Sequence, residues 1–149
     1  MRKKDDIELL RINYLRGPNI WTYRAVLEVW LDLGTLEDKP SNRLPGFNDR
    51  LVALLPALQE HHCGVGEHGG FLQRLHEGTW AGHVLEHVVI ELLNLADMPT
   101  GFGQTRGTSR RGVYRMVFRA RDEQVARSAL AEGHRLLMAV IHSEAYGEA

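Results

Sequence analysis

The sequence predicts an α+β fold, with a small mixed or antiparallel sheet packed against several helices. Three observations carry this prediction. Segments near the start and near the end alternate apolar and polar residues with period two, as half-buried strands do. The segments between them space their leucines and valines three and four residues apart, as amphipathic helices do. The resulting order, ββ-ααα-β-α, does not separate strands by single helices as a doubly wound parallel sheet would.

Residues 7–15 form the first expected strand, with Ile7, Leu9 and Arg11 on one face. Arg16-Gly17-Pro18-Asn19 breaks it, because proline fixes φ and glycine permits a sharp turn. Residues 25–33 form the second strand: Leu27, Val29, Leu31 and Leu33 face one way, Glu28, Trp30 and Asp32 the other. Residues 34–47 hold two prolines and two glycines and read as a long loop. Asn48 is expected to cap a helix to residue 60 with the stripe Leu51, Leu54, Leu55 and Leu58. Pro56 inside it removes an amide donor and bends or ends the helix.

Residues 63–70 are glycine-rich and break the chain, and a short helix spans 71–77. Thr79 is expected to cap the main helix, which runs to 95 and stops near Pro99. Residues 101–112 read as loop, with four glycines and three arginines. Residues 113–121 alternate again: Tyr114, Met116, Phe118 and Ala120 oppose Arg115, Arg119 and Arg121, with Val117 interrupting the polar side. Asp122 caps a final helix striped by Val125, Leu130, Leu137 and Ile141. No internal repeat or low-complexity segment occurs, and residues 1–149 are expected to form one domain.

The 44% apolar and 25% charged residues are the profile of a soluble globular protein. A net charge of −1 supplies no general field for a polyanion, so nucleic acid is not an expected partner. A lone cysteine, Cys63, excludes an intramolecular disulfide framework and suits a reducing cytoplasm. No run approaches the ~18 apolar residues of a membrane span, so no membrane partner is expected.

The chemistry concentrates in Thr79-Trp80-Ala81-Gly82-His83-Val84-Leu85-Glu86-His87-Val88-Val89-Ile90-Glu91. Four helical residues advance about 400°, so His83 and His87 lie roughly 40° apart on one face. Two imidazoles so placed can share a metal ion, with Glu86 beside them as a base. The order His-x-x-Glu-His is that of the inverted zinc-peptidase motif. Burying these groups without partners would be costly, so something must satisfy them. A zinc ion is one solution; a hydrogen-bonded cluster with the 101–112 arginines is another.

Glu91 follows His87 by four residues and extends the stripe, which makes it a candidate ligand. It lies about 12 Å along the axis from His83, however, and could instead orient His87. A third ligand could come from Glu60, His61, His62, His68 or His134. The adjacent pair His61-His62 beside Cys63 points in diverging directions and is not expected to be an independent metal site. Gly101-Phe102-Gly103-Gln104-Thr105-Arg106-Gly107 follows a helix and misses the dinucleotide spacing by one, so a nucleotide loop is rejected. Arg106, Arg110, Arg111, Arg115, Arg119 and Arg121 are a local basic excess, either a site for an acidic partner or a solvated strand face. Trp21, Tyr23 and the 16–19 turn read either as a second surface or as packing.

Several segments, taken in order, resemble a known family. They are Arg16-Gly17-Pro18-Asn19-Ile20-Trp21, Leu36-Glu37-Asp38-Lys39-Pro40-Ser41, Pro45-Gly46-Phe47, Gly69-Gly70-Phe71, Glu77-Gly78-Thr79-Trp80 with His83-x-x-Glu86-His87, and Gly101-Phe102-Gly103-Gln104-Thr105-Arg106. The chain resembles the N-terminal domain of cyanophycin synthetase. That resemblance implies partners beyond this chain, an ATP-grasp domain and a Mur-ligase-like domain, which use ATP and Mg to add Asp and then Arg. No phosphate-binding P-loop occurs here.

The resemblance further implies binding of cyanophycin, a polyaspartate backbone with arginine on each side chain, and gives Arg106, Arg110 and Arg111 a role in holding it. In some family members the HxxEH segment is a metallopeptidase-like site that cuts the polymer to make primers. By that likeness His83, His87 and Glu91 are the expected metal residues and Glu86 the catalytic base. The alternative is a non-catalytic domain supporting assembly, since the family enzymes are homo-oligomers.

Overall fold

The computed structural model describes residues 5–61 and 69–146. Its strands are β1 (Glu8–Leu15), β2 (Val26–Asp32), β3 (Gly103–Gly107) and β4 (Val113–Arg119). They form one antiparallel sheet in the order β1-β2-β4-β3. Its α-helices are α1 (Phe47–Leu54), α2 (Gly70–Glu77), α3 (Ala81–Leu95) and α4 (Glu123–Ile141). The fold is therefore α+β, as the alternation pattern predicts.

The period-two faces decide which way the sheet packs. Leu27, Val29 and Leu31 of β2 and Met116 and Phe118 of β4 are wholly buried against Leu85, Val88 and Val89 of α3 and Leu130 and Leu137 of α4. A Cβ at Gly133 would lie 3.1 Å from Val89 Cγ2, so glycine lets α4 cross close to α3. Arg50 ties α1 to the end of α4, its Nε and Nη2 donating to the Val140 carbonyl at 3.2 and 2.7 Å. No described helix is long and apolar enough to cross a membrane.

Several expectations need correction. Residues 101–112 are not all loop, because Gly103–Gly107 pairs with β4 as the edge strand β3. Glycines at both ends hide this strand from a propensity reading. In β1 the register shifts between Leu9 and Arg11, which turns Arg11 to the face opposite Leu9. The 34–47 segment contains two short 3-10 turns, Gly34–Asp38 and Ser41–Arg43.

The helix expected over 48–60 begins after Gly46, not after an Asn48 cap, and ends at Leu54. Pro56 then opens a separate 3-10 turn, Pro56–Glu60. Thr79 is not the cap of α3, whose capping position is Trp80. Asp122 does cap α4, accepting from the Val125 amide at 3.0 Å. His62, Cys63 and His68 lie outside the described residues.

Among the described residues, no helix packs on the other face of the sheet. Glu28 is nevertheless buried there, accepting from the indole N–H groups of Trp21 at 2.9 Å and Trp30 at 3.2 Å. Arg115 lies 3.6 Å from the same carboxylate, with its guanidinium over both indoles at 5.0 and 5.2 Å. Burial pushes the Glu28 carboxyl up, but the bonds from Trp21, Asn13 and Trp30 and the charge of Arg115 leave it below the usual range. Trp21 is thus a packing residue of this face.

Candidate active site

The HxxEH segment falls inside α3, so its two histidines share a face as the helical period requires. Their rings stand 4.8 Å apart and nearly perpendicular. Phe71 of α2 stacks on His87 at 4.0 Å and meets His83 edge-on at 5.5 Å, which fixes both ring planes. Glu86, one position before His87, sends Oε2 to within 3.9 Å of His87 Nε2. Its other oxygen accepts from the Thr105 hydroxyl of β3 at 2.6 Å. A Cβ at Gly103 would lie 3.0 Å from Glu86 Oε2 and 2.6 Å from Ile90 Cδ1, so only glycine admits the carboxyl this close to β3.

A hydrogen-bonded chain runs from His87 through His61 to Glu91. As a carboxylate, Glu91 Oε1 accepts from His61 Nε2 at 2.8 Å. In the neutral tautomer of His61 that donates to Glu91, Nδ1 is left to accept from His87 Nδ1, 3.0 Å away. That order leaves the lone pair of His87 on Nε2, the nitrogen facing Glu86. His83 has its Nδ1 2.8 Å from the Thr79 hydroxyl, so a cation would engage its Nε2.

Burial governs the electrostatics. Glu86, His87 and Glu91 are all buried. Burial raises the Glu86 carboxyl to about 7 against the lowering bond from Thr105. Burial lowers His83 to about 4, helped by Arg74, and lowers His87 to about 2, helped by His83 and His61. Both imidazoles are neutral at pH 7, the state in which they ligate metals.

These groups floor a cleft of about 780 Å³. One wall is the Pro56–Glu60 turn with His61; the other is Gly101, Gly103, Gln104 and Thr105 along β3. Two neutral imidazoles beside a carboxyl fit the donor chemistry of zinc. Among the described residues, no three His, Cys, Asp or Glu side chains are disposed as a complete metal cage. Of the candidate third donors, Glu60 and His61 line the cleft. His134 does not, because its Nε2 bonds the Ile7 carbonyl at 2.7 Å beside β1.

Of the sequence candidates, His83, Glu86, His87 and Glu91 come together, with Glu91 bonded to His61. The three arginines do not join them. Arg106 points to the outer face, its guanidinium 5.3 Å from the Trp21 ring. Arg110 and Arg111 sit at the β3–β4 turn, Arg110 3.9 Å from Asp32 and Arg111 2.6 Å from Asp38. Sequence reasoning missed Thr105 and Phe71, whose motifs appear in the resemblance but whose placement needs the fold. His61, a candidate third ligand in the sequence, lies between His87 and Glu91.

Residues 28–142 match the family described as the cyanophycin synthase-like N-terminal domain. The chain is 46% identical over 142 residues to the cyanophycin synthetase of Crocosphaera subtropica, covering 94% of this chain and 16% of that protein. It is 45% identical over 143 residues to the cyanophycin synthetase of Geminocystis herdmanii, covering 95% and 16%. With that of Trichormus variabilis it is 43% identical over 145 residues, covering 96% and 16%. The chain thus spans 16% of the length of these curated relatives.

Proposed function

Because the chain belongs to the cyanophycin synthase-like N-terminal domain family, we propose that it anchors cyanophycin for the ligase domains of a longer enzyme and cuts the polymer internally to make primers. The names of the relatives support the choice of polymer, since a cyanophycin synthetase handles cyanophycin. The observation that carries the cutting step is the buried Glu86 carboxyl, 3.9 Å from His87 Nε2, at the floor of an open cleft.

His83 and His87 would hold zinc, and His61 with Glu91 would keep His87 in the ligating tautomer. The chemistry zinc supplies when bound is polarisation of a peptide carbonyl and acidification of water. Glu86, with a carboxyl near 7, accepts a proton from the attacking water and later delivers it to the leaving amine. Phe71 holds the imidazoles in place and excludes water from one side of His87. Thr105 holds one carboxyl oxygen and leaves the other toward the cleft.

A second reading, anchoring without cutting, draws on the exposed Arg110 and Arg111, which lie away from the cleft and suit the carboxylates that the side-chain arginines of the polymer retain. Pelleting the protein with cyanophycin, and counting zinc per chain in the parent and in His83→Ala, tests both readings. Polymer binding with one zinc that His83→Ala loses supports the first. Binding without zinc supports the second, and no binding removes both.

A further inference from the structure

The strand β3 closes one end of the sheet, and its pairing with β4 fixes which backbone groups face outward. Phe102 accepts from the Arg119 amide at 3.1 Å, and the Thr108 amide donates to Val113 at 3.1 Å. With the register Gln104↔Val117 and Arg106↔Arg115, the even-numbered residues spend their backbone groups on β4. Gly103, Thr105 and Gly107 therefore turn their N–H and C=O groups to the open edge. Among the described residues, none of these groups has a backbone hydrogen-bond partner.

That edge is also the wall of the cleft above Glu86. An unpaired strand edge offers a row of alternating donors and acceptors, whose natural complement is another extended polypeptide. Resting on the reading of this site as a cyanophycin-cleaving one, we propose that the polyaspartate main chain docks along β3 as a fifth strand. Its side chains then alternate between two differently charged surfaces. Those on one face enter the cleft with Glu60, Glu86 and Glu91, and those on the other face meet Arg106. A side chain carrying both a carboxylate and a guanidinium matches both faces. The docking lays main-chain amides along the row Gly103, Thr105, Gly107, beside the carboxyl that Thr105 holds.

The test uses synthetic aspartate octamers bearing arginine on each side chain, bound to the full chain carrying Glu86→Gln so that the probe stays intact. Methylating every second main-chain amide leaves one bonding edge; methylating every amide leaves none, whatever the register. The alternately methylated octamer should bind within about threefold of the parent and the fully methylated one about tenfold or more weaker. Gly107→Pro removes one outward N–H, and a Cβ at 107 meets nothing closer than the Tyr114 ring at 3.8 Å. It should weaken parent binding several-fold more than Gly107→Ala does. Equal binding of both methylated octamers, or no effect of Gly107→Pro, overturns strand docking and leaves the polymer reading standing. Failure of the unmodified octamer to bind overturns both.

Discussion

His61 and His87 face each other Nδ1 to Nδ1 at 3.0 Å, with Glu91 behind His61 at 2.8 Å. One of two such nitrogens must donate, and with His61 neutral its bond from Nε2 to Glu91 leaves His87 as the donor. The chain Glu91–His61–His87 converts a carboxyl on one turn of α3 into control of the imidazole on the turn before, through a ring from another segment.

His61→Ala should lower zinc affinity about 10- to 100-fold, because His87 is then free to carry its proton on Nε2. Competition with a chromophoric chelator measures this. Unchanged affinity would mean that His61 does not set the tautomer.

The zinc-free protein should show opposing pH effects. His83 at about 4 and His87 at about 2, against 6.5 unfolded, refuse protons that the unfolded chain takes up. Their stability is therefore lost as pH falls below 6.5. Glu86, at about 7 folded against 4.5 unfolded, contributes fully below pH 4.5 and loses its contribution as pH rises through 7. Between 4.5 and 6.5 the two effects oppose each other. Glu86→Gln should thus steepen the rise of stability with pH across that window in urea titrations. A shift without a change of slope contradicts the assignment.

Gly103→Ala should destabilise the protein by about 1–3 kcal/mol, since its Cβ meets Ile90 and Glu86. Adding Ile90→Val should recover part of the stability without restoring cleavage, because the contact with the carboxyl persists. Full recovery of both would show that Glu86 tolerates displacement.

Glu28→Leu should cost about 2–3 kcal/mol, leaving two indole N–H groups and Arg115 without their shared acceptor. A fall in Tm of about 5–10 °C is expected by calorimetry. A change under 2 °C, taken as about half a kcal/mol, would assign the outer face to simple apolar packing.

The sheet and α3 are legible because burial on one face writes period two or 3.6 directly into the chain: Leu27, Val29 and Leu31 on β2, and His83 with His87 on α3. β3 is not legible, because Gly103, which the approach of Ile90 and Glu86 requires, and Gly107 both lack strand propensity. Thr79 reads as a cap, yet its hydroxyl meets His83 and its amide bonds Ser41. The HxxEH pattern on one helix is readable from spacing. The partners His61, Phe71 and Thr105 come from three other segments, and no local pattern encodes their arrival.

The most direct measurement is cyanophycin chain length after incubation with the zinc-loaded protein, beside Glu86→Gln and a chelator-treated sample. The account predicts shortening by internal cuts in the parent alone, with cleavage by Glu86→Gln reduced at least about a hundredfold. Polymer that stays full length with the parent, or shortens equally with Glu86→Gln, would contradict a hydrolytic role for the cleft.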